Sequence, residues 1–212
     1  GYKALVETLG SAADAVHVEA NPDALSQALE SASGLLDASM AVPISDAMID
    51  AAPHLKVISC ATTGSDHIAR GSAQAKGIAI HTLREDADLL ANLTPAAELS
   101  WALLMAVARN LPAAVAHTRA GDWRREEFPG TMIQGRTLGL VGVGRIGGWM
   151  ARYAQAFGMS VLGYDPYQDP LPDGVETAAL EDLFGRSDFV SIHVHLSDET
   201  RGLVSSTLLE TA

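Results

Sequence analysis

Cysteine occurs once in the 212 residues, at Cys60, so no internal disulfide can form. No Cys/His spacing of zinc-module type is present either, and the sequence puts forward no metal site. A reducing, cytoplasmic location is the expectation that follows. Basic residues are scarce: 14 Lys and Arg stand against 26 Asp and Glu, a formal charge of −12 that repels polyanions and argues against nucleic acid as a partner. That balance is silent about a nucleotide, because the N–H groups of a helix N-terminus hold phosphate without any basic side chain. Long apolar runs are missing as well. The longest, around Leu99 to Ala108, contains Ser100 and ends at Arg109, too short for a bilayer, so no membrane partner is expected. The opening GYKALVETLG lacks the basic stretch, apolar core and cleavage site of a secretory signal. Repeats of solenoid period and low-complexity tracts are also absent.

What is present is the make-up of a folded chain, 48% hydrophobic and 19% charged, long enough for one large domain or two ordinary ones. From Lys3 to Thr82 short β-rich runs alternate with alanine-rich, helix-compatible stretches, a rhythm that predicts a parallel sheet with crossover helices. Strands are expected at KALVE, AVHVE, GLLDAS, LKVISC and GIAIHT. Asn21 before Pro22 predicts a capped helix start, and Ser45 predicts another ahead of SDAMIDAA. Leu83 to Leu93 has no steady period and reads as a domain junction. Thr94-Pro95 then opens a long helix to about Arg109. After Gly121 the segment DWRREEFPGTMIQGR reads as a surface loop, and no chemistry is assigned to its Arg124–Glu127 charges. Next come a strand at TLGLVGV, a helix at GRIGGWMARYAQAF, strands at SVLGYD and FVSIHV, and a weaker one at VETA.

Gly142-Val143-Gly144-Arg145-Ile146-Gly147 follows a predicted strand and opens a predicted helix, the context a dinucleotide fingerprint requires. Gly142 permits the tight turn, Gly144 lets backbone approach a pyrophosphate, and Gly147 lets the helix lie close on the sheet. Asp165, at the end of the next strand, stands at the separation expected for an acid that accepts hydrogen bonds from the adenosine ribose. Its charge disfavours a 2′-phosphate, which predicts NAD over NADP. The competing reading is a glycine-rich turn that binds nothing, with Asp165 capping a turn.

With these residues in place the chain resembles the D-isomer-specific 2-hydroxyacid dehydrogenases. The resemblance rests on GRTLGLVGVGRIGGWMARYAQAFGMSVLGYDP, on Thr94 with Ala97-Glu98, on Arg109, Gly121 and Trp123 in order before it, and on SDFVSIHVHLSDETRGLV after it. It implies an α/β protein with a flavodoxin-like substrate domain over residues 1–92 and a doubly wound, Rossmann-type NAD-binding domain, incomplete, over 93–212. It implies cofactor contacts for Thr94, Arg145, Ile146, Asp165, His193, Val194, His195 and Thr200. Family members often carry Pro where His195 stands. His193 and His195, two apart on one predicted strand, share a face and read better as the border of a cofactor cleft or a polar edge than as a metal or proton-transfer pair.

The resemblance also implies that backbone N–H groups of Thr62, Thr63 and Gly64 meet a substrate carboxylate. Without it, CATTGSDH is an ordinary strand-to-helix turn with Asp66 as a cap. Cys60 reads as a small buried core residue rather than a nucleophile, since no activating partner stands near it in sequence. Trp101, Leu104 and Met105, at helical spacing, read as core or dimer surface. Hydride transfer between NAD(H) and a small D-2-hydroxyacid or 2-oxoacid is the implied activity, and a homodimer the implied assembly. The family's catalytic arginine, glutamate and histidine lie beyond the segment matching SSTLLETA, so no catalytic residue is assigned within 1–212. The chain is accordingly expected to be part of a longer protein, and inactive if it ends at Ala212. An NAD-sensing, corepressor-like binding protein is the alternative.

Overall fold

A computed structural model describes residues 2–210, and they divide into two compact units, Gly1–Leu90 and Ala91–Ala212. In the first unit the helix α1 spans Tyr2–Leu9 and α2 spans Pro22–Leu29. Strand β1 (Gly34–Asp37) follows, then α3 (Asp46–Asp50), β2 (Val57–Cys60), α4 (Arg70–Ala75), β3 (Ala79–His81) and α5 (Ala87–Ala91), whose last residue falls just past the division. The caps sit where Asn21 and Ser45 predict them. Asn21 Oδ1 accepts from the N–H groups of Asp23 and Ala24 at 2.9 and 3.2 Å, and Ser45 Oγ accepts from Met48 N at 3.3 Å.

Two expected strands do not form. KALVE lies in α1, where Ala, Leu, Glu and Lys all favour helix. AVHVE takes no regular structure and leaves Val16 80% exposed, because a β-branched run without a strand partner has nowhere to place its ladder bonds. The sheet is therefore three-stranded, in the order β1-β2-β3, all parallel. Its core gathers Leu25, Leu29, Ile44, Ile49, Ile58 and Ala73. Leu83 to Leu93, read as aperiodic, contains a 3-10 turn at Leu83–Glu85 and α5.

The second unit begins with α6 (Pro95–Ala108) and α7 (Leu111–Arg119), then β4 (Thr137–Val141), α8 (Arg145–Ala156), β5 (Ser160–Tyr164), β6 (Val175–Thr177), α9 (Leu180–Arg186), β7 (Phe189–Ile192) and α10 (Ser206–Leu209). Its four strands are parallel and ordered β6-β5-β4-β7. The central strand β4 is almost wholly apolar because helices cover both of its faces. Leu138 and Leu140 face Met150, Ala151 and Ala154 of α8. Val141, one residue out of phase, lies with Leu162 and with Leu183 and Phe184 of α9. Trp101, Leu104 and Met105 of α6, partly buried, pack against the α8-side core, the first of the two roles read from their spacing. The strand order reverses between β4 and β7, and at such a reversal the carboxyl ends of a parallel sheet leave a crevice.

The run Ala87–Ala108, 22 residues long, is by length and composition apolar enough to cross a membrane, with mean hydropathy 1.3 over its most apolar 18 residues. The shorter Leu99 to Ala108 run hid this. Asn92 to Thr94 divide the run into α5 and α6, and Pro95 cannot donate into a continuous helix.

Candidate dinucleotide site

The chain leaves β4 at Val141 and reaches α8 at Arg145 through a turn in which Gly142 has φ +89°. That left-handed conformation suits glycine, and a Cβ there would also stand 2.9 Å from the His193 carbonyl group. A Cβ on Gly147 would lie against the Gly142 carbonyl oxygen, well inside contact distance, so its absence sets the approach of α8 to the turn. Gly144 differs. A Cβ there would meet nothing within 4 Å, so this position is open on the protein side. Among the described residues the N–H groups of Gly144, Arg145 and Ile146 find no acceptor, as expected in the first turn of a helix. They carry the partial positive charge of the α8 N-terminus. This is an opening that polyanionic phosphate fits and a side chain would fill.

Asp165 locks the turn. Its Oδ2 accepts from Val143 N at 2.9 Å and its Oδ1 from Tyr167 N at 3.0 Å, so the carboxylate joins the end of β5 to the glycine turn. The spacing of Asp165 from the turn indicates proximity, but only the tertiary structure reveals the bond to Val143. Arg145 folds back, with Nη1 donating to the Leu93 carbonyl at 2.5 Å, and thereby brings the segment preceding α6 beside the turn. Thr94, next in sequence, does not cap α6 with its side chain; its hydroxyl donates to Glu98 Oε1 at 2.5 Å.

His193 and His195 stand past the end of β7, which stops at Ile192, so the alternation that placed them on one strand face does not apply. The His193 N–H still donates to Val141 O at 2.7 Å, holding this segment beside the glycine turn. The His193 ring pairs with Ser191 Oγ at 2.8 Å, while His195 is exposed. Val194 is half-buried against the α9-side core. Thr200 Oγ1 donates to the His195 carbonyl at 2.5 Å and accepts from Ser197 N at 2.8 Å, which closes the 195–200 turn. Ile146 is half-buried in the first turn of α8. Gly142, Gly144, Arg145, Ile146, Gly147, Asp165, Thr94, His193 and Val194 thus gather around the carboxyl ends of β4 and β5 and the segment after β7.

Burial holds the His193 imidazole below its ordinary value. The unfolded chain then binds a proton more readily than the folded one, so acid favours unfolding. Stability of the second unit is expected to fall as pH drops below about 6.5 and to level once pH passes the lowered folded value. Urea midpoints across that window check it, and His193→Gln should flatten this part of the slope.

In the first unit, Thr62 Oγ1 donates to the Gly64 carbonyl at 2.9 Å and Leu83 N donates to Thr62 O at 3.0 Å. The N–H groups of Thr62, Thr63 and Gly64 find no acceptor among the described residues. The loop does not run straight into a helix, because α4 starts only at Arg70, and Asp66 does not cap it; Ala69 stands at the cap position. Cys60 is buried, as its apolar strand predicts. Burial pushes its thiol up, Asp37 adds to the rise, and Arg70 opposes it. A neutral thiol is a poor nucleophile. The fold nevertheless brings Asp37 and His67, distant from it in sequence, beside Cys60.

A parallel sheet with helices on both faces, a glycine turn open at Gly144 and a carboxylate locked across that turn define the second unit as a dinucleotide-binding domain of the Rossmann type. Residues 101–212 match the family model described as D-isomer specific 2-hydroxyacid dehydrogenase, NAD binding domain, and the chain belongs to that family. It is 38% identical over 190 residues to the D-3-phosphoglycerate dehydrogenase of Mycobacterium tuberculosis, covering 88% of this chain and 35% of that protein. The TT0316 protein of Thermus thermophilus superposes with a TM-score of 0.78 at 33% identity, over 94% of this chain and 64% of that one. A D-lactate dehydrogenase of Aquifex aeolicus, solved with NAD and lactic acid, superposes with a TM-score of 0.73 at 25% identity, over 88% of this chain and 55% of that one. The chain spans about a third of the length of the curated relatives it matches.

Proposed function

We propose that the chain serves an oxidoreductase that moves a hydride between NAD(H) and a small D-2-hydroxyacid or its 2-oxoacid. The observation that carries this is the glycine turn, closed on the protein side at Gly142 and Gly147 and open at Gly144. Bound there, the nicotinamide cofactor supplies or accepts the hydride. Gly144, Arg145 and Ile146 present their N–H groups to the pyrophosphate, and Thr94, His193, Val194, His195 and Thr200 are the proposed contacts around it. The unpaired N–H groups of Thr62, Thr63 and Gly64 support a role in holding the substrate carboxylate. No described residue is assigned proton transfer, and no observation favours the non-enzymatic, sensing alternative.

Preference for NAD over NADP follows from Asp165. Its two backbone bonds fix the carboxylate at the end of β5, where an added 2′-phosphate would meet its negative charge. Asp165→Asn keeps a side-chain acceptor for Val143 N and removes the charge. Its ratio of NADPH to NADH dissociation constants, measured by fluorescence titration, is expected to fall by about tenfold, ~1.4 kcal/mol. An unchanged ratio would remove Asp165 from the discrimination. Failure of the unaltered chain to bind either dinucleotide would remove the function.

A homodimer and a cytoplasmic location complete the proposal. Leu99, Leu103 and Val107, spaced by four along α6, are 62%, 58% and 73% exposed, and Leu111 and Val115 of α7 are exposed too. Trp123, in the loop beyond, is 85% exposed. Such an exposed apolar stripe supports a second copy of this chain as the covering surface.

A further inference from the structure

Three segments far apart in sequence meet at one end of the first sheet. Asp37 ends β1 and Cys60 ends β2, and the two are register partners, so their side chains leave the sheet on the same face. His67 is delivered by a separate device. The parallel bridge Ile44↔Ile68 is flanked by Ile44 N donating to His67 O at 2.8 Å and Ala69 N donating to Ile44 O at 2.9 Å. The result is one carboxylate oxygen, one sulfur and one imidazole nitrogen that all lie within 4.8 Å of one another.

The cluster is enclosed and ordered. Cys60 is 2% exposed, and the side chains of His67 and Asp37 are 7% and 13% exposed. Asp37 Oδ1 is oriented by the N–H groups of Ser39 and Met40 at 3.0 and 3.2 Å, which leaves Oδ2 for the cluster. Oδ2 lies 2.5 Å from His67 Nε2. The other ring nitrogen, His67 Nδ1, is buried and has no hydrogen-bond partner. His67 thus meets the carboxylate through Nε2 alone.

We propose that Asp37, Cys60 and His67 form a binding site for a thiophilic divalent cation of the zinc class. Sulfur, imidazole nitrogen and carboxylate oxygen are the donors such a cation takes. Magnesium and calcium, which prefer all-oxygen shells, are disfavoured by the same set. Tetrahedral bonds of about 2.0 to 2.3 Å place donors roughly 3.3 to 3.7 Å apart, so His67 Nε2 and Asp37 Oδ2 part from their 2.5 Å contact to admit the cation. A dipositive ion balances a thiolate and a carboxylate in a site that water reaches poorly. The bonds from Ser39 and Met40 to Asp37 hold the carboxylate in orientation, as outer-shell groups do around metal ligands. Three protein donors leave a fourth position for water or an exogenous ligand. The site lies wholly within the first unit and stands independently of the dinucleotide reading.

The single cysteine makes the test clean, because any thiolate–metal signal from the chain must come from Cys60. The tag-free chain, stripped with a chelator, is titrated with Co²⁺ and followed by absorption, and with Zn²⁺ in competition with a chromogenic chelator. Expected are one cation per chain and a thiolate-to-cobalt charge-transfer band in the near ultraviolet. Cys60→Ser should abolish the band, and Asp37→Asn and His67→Gln should weaken Zn²⁺ binding by more than about tenfold. Circular dichroism checks that each variant folds. X-ray absorption on the unaltered, Zn²⁺-loaded chain gives a reading that needs no variant, with one sulfur expected at about 2.3 Å. No bound cation, a zinc shell without sulfur, or a charge-transfer band that persists in a folded Cys60→Ser would each overturn the site and leave an Asp37–His67 pair beside a buried thiol.

Discussion

Gly147→Ala is expected to destabilise the second unit by about 3 kcal/mol, whereas Gly144→Ala should leave its stability within about 0.5 kcal/mol. The two glycines belong to one turn and differ in what surrounds them. At Gly147 the new methyl group meets the Gly142 carbonyl oxygen, which is backbone and cannot turn aside, so α8 must lift from the turn and the packing of Met150 and Ala151 against Leu138 and Leu140 suffers. At Gly144 the methyl group enters open space in the protein and occupies the position proposed for the pyrophosphate. NADH affinity of Gly144→Ala is therefore expected to fall by at least about tenfold, ~1.4 kcal/mol. Urea unfolding by tryptophan fluorescence reads the stability, since Trp101, Trp123 and Trp149 all lie in the second unit. NADH titration reads the binding. A Gly144→Ala chain that bound NADH as tightly as the parent would show that nothing approaches that glycine, and the central claim of the dinucleotide site would fall with it.

Leu183→Ala is the second large effect, a loss of about 3 kcal/mol. Leu183 is fully buried on the α9 side of the sheet, among Val141, Leu162, Ala178, Phe184 and Leu208. Truncation both returns transfer free energy and leaves a cavity that the surrounding strands are too rigid to fill. Its partner across the interface is Gly139, where an added Cβ would come within 2.5 Å of Leu183 Cδ2 and would also crowd Ser187 Oγ. Gly139→Ala alone therefore overpacks the site and should lose about 2 kcal/mol. The double variant places a methyl group in the space that Leu183 vacates. It is expected to be more stable than the sum of the single losses predicts, by about 1 kcal/mol, because the two positions share one volume. Strict additivity in the same urea experiment would mean that α9 does not rest on Gly139 as described.

The dinucleotide unit was readable from sequence because its chemistry is local. Gly142, Gly144 and Gly147 lie within six residues, flanked by a buried strand and an amphipathic helix whose periods differ, and the function of each glycine follows from the atom it lacks. Asp165 was placed by the length of one βα unit. The first unit was harder. KALVE and AVHVE read as short β-rich runs, yet they make no strand, since a ladder depends on a neighbour and local composition does not report one. The histidine pair was misplaced by a smaller margin. Strand β7 ends one residue before His193, and element ends depend on the last available ladder partner, here Val141 opposite Ile192.

The amino-acid sequence by itself determined the parallel α/β class, the glycine turn with its helix, the spaced acid and the family, because each follows from chain-local pattern and from steric limits at single residues. Tertiary structure alone decided that Asp165 holds Val143, that Arg145 turns back to Leu93, and that Asp37, Cys60 and His67 share one enclosed point. Those outcomes depend on register and crossover, which bring residues together across 22, 52 and 30 positions of chain. A spacing motif cannot encode them, since the closure of each loop is set by the packing of everything between.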